Sequence, residues 1–570
     1  MKNYRTSPAD VEGIPSGVPH IIGNEAAERF SFYGMKGILA VFMVQYLHLM
    51  NEQPGEGMSE EAASAKYHLF NMFVYATPLI GAVLADVFFG KYRTIIWLSV
   101  VYVMGHGALA LMGSAGDAGT WLLWGLALIA LGSGGIKPCV SAHVGDQFGA
   151  RNAHLLPKIF NWFYFSINLG AMISILLTPW LLKWYGPHWA FGVPGVLMAI
   201  ATVVFWMGRK RFIHVPPGGK SILRELDGGG WKALVSLVPL YLFVAMFWAL
   251  FDQTGSSWIF QAQDMDRNFL GIEWLPSQVQ SLNSLFVLTF IPLFAYGLYP
   301  AISKVWKLSS LRKIGVGLFV MAAAFTLVAV TQTRIDAGEA PNIGWQVLAY
   351  ALLTASEVMV SIVALEFAYT QAPKTLKSFV MCFYLGAVAL GNLVTAGINH
   401  FIEIEKPEVV AESAVTKAAL EEAVRRVAAD GRGVEVSDLR DEWGGLLRTT
   451  VLNSRTLRIS SDGSDRTERT QWDVGVVLTW PEDVKEEKDS WLSGFEPEKA
   501  WLEVRKEKLG LVEVTEEESG LPFVVKWYAG GGTKLEGARY FWFFAGLMLV
   551  TAVGFIPYAM RYRGEMVLQD

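Results

Sequence analysis

The sequence predicts an all-α polytopic membrane protein with twelve transmembrane helices and one small α+β insert. Three observations carry that prediction. Of 570 residues, 52% are apolar and only 17% charged, with a mean hydropathy of +0.34; a soluble domain averages about 25% charged residues. Apolar stretches near the roughly 20 residues needed to cross a bilayer recur twelve times. The net charge of −5 is also split: residues 403–536 hold 29 Asp/Glu against 19 Lys/Arg, whereas the remainder holds 23 against 28. Composition excludes a disordered chain, a collagen-like chain and a disulfide scaffold. Cys139 and Cys382 both lie in apolar segments, so neither a disulfide framework nor a zinc site is expected.

The segments fall at about 21–49, 66–90, 92–113, 119–146, 158–182, 188–208, 232–260, 276–300, 310–332, 344–371, 378–402 and 538–560. The opening MKNYRTSPADVEGIP has no apolar core of signal-peptide type and no cleavage motif, so the first segment is expected to stay as a spanning helix. Several segments carry glycine, proline or charge in mid-span, which only a self-packed bundle around something polar tolerates. With the N-terminus placed inside, the inner loops and helix ends collect 20 Lys/Arg and the short outer ones 4. That bias puts both termini in the cytoplasm. The expected division is 1–208 for the first six helices, 209–231 as cytoplasmic linker, 232–402 for helices seven to eleven, 403–536 as extracytoplasmic insert, and 537–570 for helix twelve and the C-terminus.

The insert opens with a helical pattern, PEVVAESAVTKAALEEAVRRVAADG, that stops at glycine. The runs VGVVLTW and LPFVVKWY, set between turn-rich stretches, read as strands. It contains no histidine, no cysteine and no nucleophile–base or metal-ligand pattern. An accessory domain is therefore expected, with entry and exit close together, and an unidentified extracellular partner is left open.

Charges inside spanning helices cost about 2.5 kcal/mol or more each and are functional-site candidates by default. Helix one has the densest set: Glu25, Glu28, Arg29, Phe32, Tyr33 and Lys36 share one helical face. A solvated stripe near the helix end would account for the spacing equally well. In helix four, LGSGGIKPCVSAHVGDQF strands Lys137 among small residues, with Glu25 or Glu28 as candidate partner. Helix seven carries Asp252 and Trp258, helix ten Glu357, helix five Asn168 and helix eight Asn283. His68 and Tyr75 lie seven residues apart on helix two. Arg29 and Lys137 thus form a cationic pole in the first six helices and Glu357 an anionic pole in the last six. A zwitterion with separated ends fits between them.

Glu25-Ala26-Ala27-Glu28-Arg29-Phe30 resembles the ExxERF signature of the proton-dependent oligopeptide transporters, a branch of the major facilitator superfamily. The resemblance extends through GAVLADVFFGKYRTI (81–95), GSGGIKPCVSAHVGDQF (132–148), FNWFYFSINLG (160–170), LFDQTGSSW (250–258) and SEVMVSIVALEFAYTQAP (356–373), in the family's order. The YH pair of helix two, KPCVSA and EVMVSIVALEFAYTQAP resemble the animal peptide-transporter subgroup most. The resemblance implies a major facilitator fold of two six-helix halves. It implies that Arg29 and Lys137 hold a peptide carboxylate and that Glu357, Asn168 and Asn283 receive the amine. Glu25, Glu28, Lys137 and His68 would couple protons, and Tyr33, Tyr75 and Trp258 would shape the pocket. Asp86, Lys91, Arg93 and Asp252 fall in motifs with gate or latch roles. The chain departs from the pattern in four places. Phe32-Tyr33 replaces the frequent Tyr-Tyr, and Ser257 stands where the animal subgroup has arginine. The 23-residue link 209–231 leaves no room for the two extra helices of many bacterial members. The insert follows helix eleven, not helix nine.

The implied activity is symport of protons with di- and tripeptides by alternating access across a plasma or inner membrane, with no cofactor, no metal, no nucleic acid and no enzymatic step. Small peptides, protons and the lipid bilayer are the expected partners. Two rivals stand beside it: a related proton-coupled carrier of another zwitterionic or anionic solute, and a membrane-anchored partner-binding protein acting through the insert.

Overall fold

Twelve helices long and apolar enough to span a bilayer run through the computed structural model, which describes residues 4–8, 11–217, 235–371, 377–407, 413–481, 493–511 and 520–562. The first eleven are α1 (Val18–Met50), α2 (Glu60–Phe89), α3 (Lys91–Ala110), α4 (Ala118–Gly145), α5 (Ala153–Tyr185), α6 (Pro187–Lys210), α7 (Val238–Gln263), α8 (Pro276–Ser303), α9 (Ser310–Asp336), α10 (Gly344–Ala368) and α11 (Val380–Ile402). The insert contributes α12 (Ala414–Asp430) and α13 (Trp501–Lys508), and the twelfth span is α14 (Ala538–Arg561). The second span starts six residues before its expected position, because Ser59 caps it by accepting from the Ala62 amide at 3.1 Å. Much of the expected linker, from 218 onward, lies outside the described residues.

Apolar burial divides the spans into two bundles. One core is drawn from α1–α6, with Phe260 of α7 added; the other is drawn from α7–α11 and α14. The two expected halves are therefore two separate hydrophobic cores. Helix geometry loosens at defined points. A π turn covers Phe42–Tyr46 in α1, Pro78 interrupts α2, and a 3₁₀ turn covers Asp252–Gly255 in α7. Another π turn, Val358–Ile362, directly follows Glu357 in α10. Such breaks interrupt the regular backbone ladder and re-aim side chains. In α4, Gly135 faces Gly81 of α2, and Gly134 faces the Val74 carbonyl and the Thr77 hydroxyl, with no room for a Cβ at Gly81 or Gly134. The missing side chains let α2 and α4 approach backbone to backbone beside Lys137.

The insert has its own core and is α+β. Outside it, strands β1 (Asn268–Phe269) and β2 (Ile272–Glu273) form a minimal hairpin in the α7–α8 loop. Within the insert, β3 (Arg448–Asn453), β4 (Thr456–Ser461), β5 (Val474–Thr479) and β6 (Val524–Ala529) make an antiparallel meander in chain order. Leu420, Val424 and Val427 of α12 pack with Leu457, Ile459, Val476 and Leu478. The expected helix is present from Ala414, residues 408–412 of its pattern lying outside the described residues, and the β5 and β6 strands are present. The β3–β4 hairpin, RTTVLNSRTLRIS, is an addition. Entry and exit are adjacent: Ile404 N–H donates to Gly532 O at 3.0 Å, and Lys534 N–H to Ile402 O at 2.8 Å. All of this lies at the end of the bundle opposite the termini, the insert face.

Helix α13 behaves differently from the rest of the insert. Trp501 and Leu502 pack on the α1–α6 core, not on the insert core. The Trp501 ring stacks on Tyr46 at 5.8 Å. Arg505 donates to the carbonyls of Leu49, Met50 and Asn51 at 2.8, 3.4 and 3.2 Å, the unsatisfied end of α1 where helix polarity favours a cation. The sheet meets the other half, where Asn453 Nδ2 donates to Asp264 Oδ1 at 2.9 Å. Replacing Trp501 and Arg505 together by alanine is expected to free this helix. Tryptic cleavage after Lys506 and Lys508, read by mass spectrometry, should then accelerate about tenfold, the ratio that about 1.4 kcal/mol of lost docking produces. Unchanged cleavage would show that neither residue anchors the helix.

Candidate functional site

The charged face of α1 splits into two groups at different depths. Toward the termini, Arg29 donates through Nε to Glu25 Oε1 at 2.7 Å and sits 3.4 Å from Glu28 Oε2. Glu25 and Glu28 are 2% and 1% exposed. Glu28 Oε1 also accepts from Ser133 of α4 at 2.5 Å and lies 3.6 Å from Lys137 Nζ. The solvated-stripe reading therefore fails: the face is turned inward and answered by α4. Lys137 Nζ lies 4.3 Å from the centre of the Phe32 ring and, among the described residues, has no hydrogen-bond acceptor. A buried ammonium held by one long ion pair and one aromatic face retains donor capacity for an anion.

Lys36, two turns further along α1, points across to the other half. Its ammonium donates to Asp252 Oδ1 of α7 at 2.7 Å, and Asp252 Oδ2 accepts from Asn392 Nδ2 of α11 at 2.7 Å. The Asn392 oxygen meets His68 Nδ1 of α2 at 2.9 Å, and His68 Nε2 meets Ser256 Oγ of α7 at 3.1 Å. Because the Asn392 nitrogen donates to Asp252, its oxygen accepts, so His68 donates through Nδ1 and accepts from Ser256 through Nε2. Lys36, His68, Asp252, Ser256 and Asn392 are all buried. Further bonds cross between the halves nearer the insert face: Gln45 Nε2 to Gln263 Oε1 at 3.1 Å and Gln278 Nε2 to Leu176 O at 2.8 Å. The halves are therefore joined on the insert side.

In the second half, Asn283 donates to Glu357 Oε2 at 2.8 Å and to Thr354 Oγ1 at 3.1 Å. Glu357 has no ion pair among the described residues. Asn168 donates to the Tyr164 carbonyl at 3.0 Å. Tyr75, on α2, packs against the second-half core, and Trp258 is fully buried between Phe325 and Tyr350. The four gate candidates separate. Asp252 joins the halves, whereas Lys91 pairs with Asp146 at 2.8 Å on the termini side, with Asp86 half-buried and Arg93 exposed.

Sequence reasoning placed Lys36 on the charged face without a partner, and did not single out Asn392, Ser256 or Tyr164. Asn392 is an uncharged residue in an apolar helix and carries no local signal, whereas Ser256 lay inside the LFDQTGSSW motif. Tyr164 lay inside the FNWFYFSINLG motif, one turn before Asn168.

Two bundles with separate cores, meeting around buried charge of opposite sign, define a polytopic membrane protein of the major facilitator type. The sequence profile of the POT family matches residues 92–227 and 225–411, and the chain belongs to that family. It is 39% identical over 369 residues to solute carrier family 15 member 2 of Homo sapiens, covering 56% of this chain and 49% of that one. It is 38% identical over 368 residues to peptide transporter family 1 of Drosophila melanogaster, covering 56% and 48%. The chain thus spans about half the length of the curated relatives it matches. Among solved structures, an auto inhibited POT family peptide transporter aligns with a TM-score of 0.67 at 29% identity, covering 98% of this chain and 99% of that one. The POT family transporter PepTSo aligns with a TM-score of 0.62 at 36% identity, covering 72% and 92%.

The Lys36–Asp252 geometry yields a stability prediction. Asp252→Asn leaves Lys36 buried without its counter-ion, which costs about 3–5 kcal/mol. Thermal unfolding in detergent should fall clearly for that variant and recover in Lys36→Met with Asp252→Leu, which removes both charges. Equal losses in the single and double variants would show that the pair contributes shape, not charge.

Proposed function

We propose that the protein is a proton-coupled symporter that carries di- and tripeptides by alternating access between its two halves. The carrying observation is the pair of opposed poles among the described residues: a buried Lys137 ammonium without a hydrogen-bond acceptor in one half, and Glu357 without a cation in the other. A short peptide offers both partners at once, a carboxylate whose oxygens can accept from Arg29 and Lys137 and an ammonium for Glu357 with Asn168 and Asn283. The names of the relatives, peptide transporters and not enzymes, support the same reading. Tyr33, Tyr75 and Trp258 serve as the walls and supports of the pocket, with Trp258 acting from the core.

Coupling follows from the occupancy of Arg29. That guanidinium is held by Glu25 and by Glu28, and Glu28 also answers Lys137. A carboxylate that takes a proton loses most of its attraction for a cation, so protonation of Glu25 loosens Arg29, and protonation of Glu28 loosens both Arg29 and Lys137 for the peptide. One proton crossing 100 mV supplies about 2.3 kcal/mol, enough for roughly 50-fold accumulation. Asp252 serves as the insert-side gate, Asp86, Lys91 and Arg93 as the termini-side latch, and His68 as a second proton-handling group. The termini lie in the cytoplasm of a plasma or inner membrane, and the insert lies outside.

Recognition through both termini of the peptide disfavours a simple anion as cargo, and twelve spans with charged interiors disfavour an anchor for the insert. Proton-driven uptake of a labelled dipeptide into proteoliposomes tests the reading. Glu357→Gln should abolish or strongly reduce it, since a charge-assisted hydrogen bond contributes about 1.5–3 kcal/mol. Unchanged affinity for a free-amine dipeptide would remove Glu357 from the site. Glu25→Gln or Glu28→Gln should keep counterflow measurable while blunting accumulation, and normal accumulation in both would place coupling elsewhere.

A further inference from the structure

A cavity of about 270 Å³ opens on the insert face where α13 rests on the first half. Trp501, Arg505 and Lys508 of α13 form one wall, and Met50, Gly113 and His188 form the other. Met50 ends α1, Gly113 follows the end of α3, and His188 is the second residue of α6. The cavity therefore lies at the level where three spans leave the apolar layer. Aromatic side chains gather at that level, as they do at a membrane boundary. The Trp501 ring stacks on Tyr46, the Lys183 ammonium lies 4.4 Å from the centre of the Trp184 ring, and Trp189 is exposed.

The charge in this cavity is one-sided. Arg505 uses Nε and Nη2 on the carbonyls that end α1, and its Nη1 has no acceptor among the described residues. Lys508 is exposed, and none of the described residues accepts from it. His188 donates through Nδ1 to the Ala110 carbonyl at 2.7 Å, which leaves Nε2 for another partner. Neither carboxylate of α13 belongs to the walls, and Glu507 is paired with Lys499 at 2.5 Å. Two permanent cations thus face a cavity whose described walls hold no counter-ion.

The surroundings are apolar. Val504 lines the cavity and is 48% exposed, and Leu111, two residues before Gly113, and Trp189, next to His188, are exposed on the first half. A free anion would answer the cations and leave these side chains uncovered. A phospholipid answers the cations with its phosphate and covers the apolar groups with its chains. The volume is below the roughly 300–1,000 Å³ of a site that encloses a drug-sized ligand, so a headgroup fits and the chains stay outside.

We propose that this cavity binds an anionic glycerophospholipid of the insert-side leaflet through its phosphate. The phosphate oxygens accept from Lys508 Nζ and Arg505 Nη1, hydrogen bonds strengthened by charge, and from His188 Nε2 when that nitrogen carries a proton. Both permanent cations belong to the insert, whereas His188, Leu111 and Trp189 belong to the first half. The bound lipid therefore ties α13 to the bundle beside the Trp501 stack. The site lies apart from the charged face of α1 and does not depend on what the two halves carry.

The test uses full-length protein in detergent, titrated separately with dioleoyl phosphatidylglycerol, dioleoyl phosphatidylcholine and inorganic phosphate. Native mass spectrometry counts bound lipid, and hydrogen exchange of the 501–511 amides reports the docking of α13. Phosphatidylglycerol should bind at about tenfold lower concentration than phosphatidylcholine and should slow that exchange, since a charge-assisted hydrogen bond contributes about 1.5–3 kcal/mol. Lys508→Gln should raise the concentration needed by about tenfold on the same grounds, and Lys508→Arg should keep it low. Lys417→Gln, an exposed position on α12 outside the cavity, should change nothing. Equal binding of the two lipids, or equal effects of Lys508→Gln and Lys417→Gln, would overturn the proposal. Slowed exchange with inorganic phosphate alone would assign the cavity to a free anion and overturn the lipid.

Discussion

A spanning helix in hydrocarbon has no water to answer its charges, and α1 carries four of them between Glu25 and Lys36. Each must be met by another side chain or by a ligand. Most of the organisation follows from how they are met. Glu25 and Glu28 close on Arg29, Glu28 reaches Ser133 and Lys137 of α4, and Lys36 crosses to Asp252 of the other half. What remains among the described residues is an ammonium with no hydrogen-bond acceptor on one side and a carboxylate with no cation on the other. The proposed substrate site is that remainder, and the proposed gate is the pair satisfied across the halves.

The small residues of α4 and the breaks in the helices serve the same requirement. Gly134 and Gly81 bring α4 against α2 with no room for side chains, while Ser133 and Lys137 of α4 meet Glu28 of α1. Glu357 ends the regular part of α10, and Asp252 begins a 3₁₀ turn in α7. In both cases the charged group sits where the backbone ladder is already interrupted, so a shift of its helix disturbs fewer regular hydrogen bonds.

Much of this was legible in the residues. Length and hydropathy locate all twelve spans, because an apolar run near 20 residues matches the thickness of a bilayer core and exceeds what a typical soluble helix buries. The spacing of Glu25, Glu28, Arg29 and Lys36 places them on one face, and the stranded Lys137 asks for the acid it receives. What escaped was pairing across distance. Nothing near Asn392 marks it, and Ser256 sits within LFDQTGSSW with no sign of its partner, since each gains its meaning from a residue well over a hundred positions away in the chain. The β3–β4 hairpin was missed because its alternation is interrupted by arginines, of which Arg448 pairs with Asp462 and Glu468 and Arg458 with Glu536, acids distant in the sequence. Helix α13 was missed because its sequence, WLEVRKEK, is mostly charged, and Trp501 and Leu502 pack on a different part of the molecule.

In the proposed site, two poles in different halves read the two ends of one small zwitterion. Binding of a dipeptide, its N-acetylated form and its C-amidated form to purified wild type, Lys137→Gln and Glu357→Gln protein measures it most directly. Wild type should discriminate against both blocked forms, Lys137→Gln should lose discrimination only at the carboxyl end, and Glu357→Gln should lose it only at the amino end. Discrimination at both ends that survives both substitutions would contradict it.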